Sequence, residues 1–212
     1  MINWEVQRMI KGGIDISKYQ GNAERFIKDA SFVIIRAGYG RNNKDPYFFK
    51  NVDLCKKYNK PYGVYWFSYA DTLTKATNEV IFMDAMIKQC DYKPTLPVFI
   101  DWEADSENWM AKCGKKFTWD YYNDVIKTWC EKAEDLGYYA GVYCDYYHYK
   151  HLNTKEYCVW LARWDNKQSF AGYDSCIWLK QYTVDRTKNL DMNILRSDNL
   201  IKTIKNKHFN GN

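Results

Sequence analysis

Three stretches of this sequence set an acidic residue inside an otherwise apolar run. Asp15 lies between Ile14 and Ile16, and Asp191 lies between Leu190 and Met192. Asp101 and Glu103 close the run Leu96-Pro97-Val98-Phe99-Ile100-Asp101-Trp102. A carboxylate in such a setting is costly unless it is paired or faces a wet cavity. Side chains alternate along an extended strand, so Phe99, Asp101 and Glu103 share one side, while Val98, Ile100 and Trp102 share the side facing helices. The two acids then point the same way, with α-carbons about 6.6–7 Å apart. Gathered carboxylates suit glycosidic bond hydrolysis. One protonated acid gives its proton to the leaving oxygen, and a nearby carboxylate stabilises the positive charge developing on the sugar. Crowding raises one proton affinity and keeps that acid protonated near neutral pH. The plainer reading is a polar loop that starts at Asp101 and continues through Asp105 and Glu107; repetition of the pattern on three strands favours chemistry.

For these acids to meet, their strands must share a mouth. The apolar runs Ile14–Ile16, Phe32–Ala37, Tyr62–Phe67, Leu96–Trp102 and Tyr138–Cys144 read as five strands buried on both faces. Helical stretches separate them. Asp45 reads as a cap with Pro46 at the first helical position, ahead of Phe48, Val52 and Cys55 at helical spacing. Ala76, Val80, Met83 and Ile87 form a second stripe. Thr118 caps a third helix whose apolar face is Tyr122, Ile126, Trp129, Ala133 and Leu136, with Gly137 just beyond its end. This βαβα order predicts a parallel sheet with outer helices. The last third changes: Tyr157–Ala162, Cys176–Leu179 and Leu190–Met192 read as strands six to eight. About seven residues separate Tyr182 from Leu190, too few for a parallel crossover, so the last strand is expected to run antiparallel to its predecessor. The expectation is an α/β, irregular TIM-like barrel: about five β/α units, then three strands with little helix. Chemistry in such barrels sits where parallel strands end. An antiparallel strand begins at that same mouth, which brings Asp191 to the other acids.

Composition bounds the alternatives. The 212 residues suit one catalytic domain spanning residues 1–212, with a core at about 13–194 and a tail, 195–212, read as a short amphipathic helix or a solvated end. A net charge of +5 without any Lys/Arg tract argues against nucleic acid and would favour approach to an anionic polymer. The 9 Trp, 19 Tyr and 10 Phe exceed ordinary usage; such rings fill cores and also stack on sugar C–H faces. The seven cysteines are odd in number and form no C-x-x-C, which points to reduced thiols rather than zinc. Met1–Glu5 lack the apolar run of a signal peptide, so the chain is expected to be made in the cytoplasm and to reach its target after release. No membrane insertion and no cofactor are expected. His148 and His151, one helical turn apart without a third ligand, read as surface histidines.

The run Gly13-Ile14-Asp15-Ile16-Ser17-x-x-Gln20, followed by Phe99-Ile100-Asp101-Trp102-Glu103, resembles glycoside hydrolase family 25, the Chalaropsis-type lysozymes. Ile35–Gly38, Gly63–Phe67, Trp160–Arg163, Gln181-Tyr182 and Leu190–Asn193 extend the likeness in order along nearly the whole chain. The resemblance implies an irregular barrel that cuts the β-1,4 bond between N-acetylmuramic acid and N-acetylglucosamine in bacterial peptidoglycan, as a phage endolysin or bacterial autolysin, with a monomer favoured. By position it makes Glu103 the general acid and gives Asp101 the substrate's acetamido group or the oxocarbenium-like centre. Asp15 and Asp191 would tune the pocket. The expected substrate-binding residues are Arg36, Tyr65, Trp66, Tyr143, Trp164, Gln181 and Tyr182. Two positions depart from the family's pattern: Trp66 replaces the more usual His or Tyr, and Lys180 replaces an aromatic, with Trp178 as a substitute on the same strand face. A chitinase-like glycosidase and a non-catalytic wall-binding module are the rival readings.

Overall fold

The computed structural model describes residues 9–153 and 155–212, so the expectation about Met1–Glu5 lies outside the described residues. Strands β1 (Ile10–Ile16), β2 (Phe32–Tyr39), β4 (Tyr62–Phe67), β5 (Val98–Asp101), β6 (Ala140–Asp145), β7 (Cys158–Ala162), β8 (Ile177–Asp185) and β9 (Leu190–Leu195) close into an eight-stranded barrel. A two-residue strand, β3 (Asn43–Lys44), hangs antiparallel on the end of β2. Neighbours from β1 to β8 pair in parallel. Strand β9 runs antiparallel to both β8 and β1, and so closes the ring. The irregular barrel expected from the connection lengths is the one observed.

Among the described residues seven α-helices accompany these strands: α1 (Glu24–Asp29), α2 (Phe48–Lys57), α3 (Leu73–Ile87), α4 (Ala104–Lys112), α5 (Trp119–Asp135), α6 (Tyr146–Tyr149) and α7 (Asn199–Asn206). Local chemistry sets their ends. Thr72 and Thr118 accept the backbone N–H groups of Lys75 and Tyr121, satisfying donors that each first helical turn leaves free. Gly137 follows α5 at φ +86°, a conformation that costs glycine little. Helix α2 starts at Phe48 rather than at Pro46, because Asp45 is used elsewhere: it accepts from Arg36, Lys18 N–H and Tyr47 N–H.

The period-two pattern divides each strand between two apolar layers. Val33, Ile35, Val64, Trp66, Val98, Ile100, Trp102, Val142 and Leu161 pack outward against the helices. Phe32, Ile34, Tyr65, Phe99, Tyr143, Trp160, Leu179 and Leu195 fill the barrel. Rings this large need small residues opposite: a Cβ on Gly13 of β1 would lie 2.0 Å from the Phe32 ring. The C-terminal segment is not a solvated end. Leu200 and Ile204 of α7 close the inner layer from below, and Asn210 donates to the carbonyls of Pro94 and Leu96 while accepting from Tyr139 N–H. All seven cysteines are free thiols, five of them buried. No helix among the described residues is long and apolar enough to cross a membrane.

Candidate active site

The top of the barrel opens into a cavity of about 470 Å³ lined by Asp15, Asp101, Glu103 and Asp191. Four acids from three separate parts of the chain thus reach one hollow. Asp15 lies directly across from Asp191 in the β1–β9 pairing. Asp101 is the last residue of β5. Glu103 keeps the extended backbone for one more step and then caps α4, its N–H donating to Ser106 Oγ at 3.3 Å. Alternation is therefore preserved from Phe99 to Glu103, and both acids face inward.

Amide side chains organise the floor. Asp15 Oδ2 accepts from Gln181 Nε2 at 3.0 Å and from Asn193 Nδ2 at 2.7 Å. Gln181 Oε1 in turn accepts from the Tyr143 hydroxyl and from Trp164 Nε1, at 3.1 and 2.9 Å. Trp160 Nε1 donates to Asn193 Oδ1 at 2.8 Å. These contacts fix both amides with their N–H groups toward Asp15. Tyr143 also stands close enough to Glu103 to lower its proton affinity. Arg36 also lines the cavity and is itself held by Asp45, its Nε 2.9 Å from Oδ2.

Every acid in the cavity binds its proton more tightly than in water. Burial is the largest cause for each of the four. Asp15 is pushed up to about 7 by burial and then by Asp191, against the hydrogen bonds from Asn193 and Gln181. Asp101 is raised well above the usual range by burial, Glu103 and Asp15, with Arg36 opposing. Glu103 is raised by burial and by Asp105, Asp145 and Asp191, and lowered by Tyr143. Such a cluster favours the protonated form of its acids in a water-reached hollow, the requirement for general acid work. Asp101 Oδ1 is buried and has no hydrogen-bond partner among the described residues.

Of the expected sugar-holding residues, Arg36, Tyr65, Tyr143 and Gln181 line the cavity. Trp164 stands at its rim, 58% exposed, bonded to Gln181. Two expectations are corrected. Trp66 points to the opposite side of β4 from Tyr65, is wholly buried, and donates to Gly40 O. Tyr182 points away from the cavity that Gln181 faces and accepts from Gln168 Nε2. In regular pairing, adjacent residues of a strand face opposite sides. Trp178 does not substitute for the aromatic missing at Lys180, since a bulge separates them and Trp178 packs against the inner layer. His148 is buried between two carboxylates rather than on the surface.

The cavity also gathers Ser17, Tyr19, Gln20, Phe67, Trp160 and Asn189, with Asn193 just behind. Period-two facing marks Phe67 from Tyr65, and Asn193 from Asp191. Tyr19 and Gln20 lie in a single 3₁₀ turn after β1, where no periodicity signals facing.

The sequence profile described as Glycosyl hydrolases family 25 matches residues 14–190. No curated protein matches the chain. Among solved structures, the CTP1L endolysin superposes with a TM-score of 0.71 at 23% identity, covering 94% of this chain and 70% of its own. A family 25 glycosyl hydrolase from Bacillus anthracis gives 0.68 at 20% identity, covering 95% of this chain and 94% of its own. The modular autolysin LytC from Streptococcus pneumoniae, in complex with a synthetic peptidoglycan ligand, gives 0.72 at 22%, with 88% of this chain covering 46% of LytC. At these identities the structural likeness is one of fold. The family rests on the profile, which spans most of the residues from the first acid to the strand bearing the last, and by it the chain belongs to glycosyl hydrolases family 25.

Proposed function

We propose that this glycoside hydrolase is a lysozyme of bacterial peptidoglycan, cleaving the β-1,4 bond between N-acetylmuramic acid and N-acetylglucosamine. The observation that carries the reading is the convergence of Asp15, Asp101, Glu103 and Asp191 on one open cavity in a family 25 barrel. Glu103 is the general acid: its proton affinity is raised and it stands where β5 gives way to α4. Asp101, with an unpaired oxygen, accepts from the substrate's acetamido N–H. The acetamido oxygen then bonds to the anomeric carbon as the glycosidic C–O bond breaks, and the leaving oxygen takes the Glu103 proton. A water next attacks the anomeric carbon, its proton returns to Glu103, and the acetamido oxygen departs with configuration retained. Asp15 and Asp191 set the charge of the pocket; Arg36, Tyr65, Tyr143, Trp164 and Gln181 hold sugar. The enzyme works as an endolysin or autolysin after release from the cell.

Clearing of a Gram-positive wall suspension tests this. Glu103→Gln is expected to lose about 10²–10⁴-fold in rate, and mass spectrometry of the digest is expected to find muramic acid at the new reducing ends. Equal lysis by variant and wild type would remove Glu103 from the mechanism. New ends at N-acetylglucosamine, or cleavage of chitin alone, would make it a different glycosidase. Wall binding without release of fragments would make it a binding module.

A further inference from the structure

The side chain of His148 is only 4% exposed. Its Nδ1 lies 2.8 Å from Asp145 Oδ1, and its Nε2 lies 2.8 Å from Glu107 Oε1. Two carboxylate oxygens against two ring nitrogens require two donors, and only the imidazolium has them. A neutral ring would set a lone pair against one of the carboxylates. Asp145 Oδ1 also accepts the His148 backbone N–H at 2.8 Å, so one carboxylate caps α6 and holds its ring.

The other groups seen against the ring are aromatic. Trp119 and Tyr122 of α5 present rings 5.8 and 5.6 Å away, and Tyr147 of α6 presents one at 5.8 Å. His151 lies beyond Trp119, stacked on it at 3.8 Å. Burial keeps the Tyr122 hydroxyl protonated. Burial also opposes the His148 charge, but Asp145 and Glu107 outweigh it and the ring's proton affinity rises.

What this cation holds is the helix that begins at Glu103. Glu107 sits one turn further along α4, its N–H directed at Glu103 O. That helix buries only Ser106 and Met110, so apolar packing anchors it thinly. Asp145 stands near enough to Glu103 to raise its proton affinity.

We propose that His148, as an imidazolium, is a positioning residue for Glu103: it ties the first turn of α4 to the β6–α6 corner and neutralises two carboxylates beside the acid. The role rests on reading Glu103 as the proton donor. It predicts three linked results in the whole protein. Nitrogen-15 spectra of His148 at pH 7 show both ring nitrogens protonated. His148→Gln melts cooperatively, yet its α4 amides exchange hydrogen about tenfold faster than in wild type while β5 amides do not change. On solubilised wall fragments kcat falls about tenfold with KM within about threefold, and the alkaline limb of the kcat profile moves to higher pH, because unmasked Asp145 and Glu107 favour protonated Glu103. A neutral imidazole at pH 7, unchanged α4 exchange, or kcat within about twofold of wild type overturns the proposal. Should His148→Gln fail to fold, Glu107→Ala, which removes the α4 end of the tie, decides by the α4 exchange and kcat readouts. A wild-type protein that releases no sugar from wall sinks the lysozyme reading instead, and the exchange measurement still settles the clamp.

Discussion

Asp15 is the acid whose surroundings conflict most. Two amides donate to it, which favours the carboxylate, while burial and Asp191 favour the protonated form and win. In the folded chain it titrates near 7 instead of 3.8. Between those values the folded protein keeps a proton that the unfolded chain has released, so stability falls as pH rises through this window; below it both states are protonated and the penalty vanishes. Asp15→Asn retains an acceptor for Gln181 and Asn193 and gains a donor toward Asp191. Calorimetry is therefore expected to find the variant more stable by about 1–3 kcal/mol above pH 7, with the difference closing at pH 3, and with wall lysis reduced. An unchanged Tm at pH 8 would show that Asp15 is ionised at no cost. The acids were legible in the sequence because a charge inside an apolar run has few explanations. The sugar-holding residues were legible only in part. Tyr65 and Gln181 entered the expectation together with Trp66 and Tyr182, although alternation permits one of each adjacent pair to face the mouth.

Helices α2, α3 and α5 and the parallel strands were readable from periodicity and loop length, and so was the scarcity of helix after β7; the short helices α1, α4 and α6 were not, nor was the internal order of the stretch from Arg163 to Cys176 between β7 and β8. Its order comes from a residue that sequence marks only as odd. Lys180, fully buried, donates from Nζ to Asp165 Oδ1 at 2.7 Å and to Lys167 O at 2.9 Å, while Tyr173 donates to the other Asp165 oxygen. Polar contacts over such distances leave no period to detect. Removing one partner strands a buried ammonium, so Asp165→Ala is expected to cost about 2–4 kcal/mol in urea unfolding, whereas Lys180→Met is expected to be near neutral. In the Lys180→Met background Asp165→Ala should cost much less; additive losses would mean that the pair is uncoupled. The loop also carries Trp164, which bonds Gln181, so the stranded variant is expected to weaken the cavity floor as well. Similarly, His148 sits on a four-residue helix too short for its facing to be read from spacing.

At the scale of the molecule, the segment after β9 is a floor. Asn210, with φ 59°, joins the Pro94–Leu96 corner to Tyr139, and Ile204 seals the inner layer. Asn210→Ala takes the Asn210 partner from the Leu96 carbonyl and the Tyr139 N–H, while Pro94 O keeps Asn212, and it adds a side chain poorly suited to that backbone; a loss of about 2–3 kcal/mol is expected by chemical denaturation. A variant as stable as wild type would show that the floor is dispensable. The top has a different logic, set by β9 running against its neighbours. Every closed cylinder made from one ribbon has a seam where its beginning meets its end, and here Asp15 and Asp191 face each other across it, 176 positions apart in the chain. The chemistry is therefore distributed across the join. A half-formed cylinder possesses Asp101 and Glu103 but not the cluster, so the act that finishes the architecture is also the act that arms it.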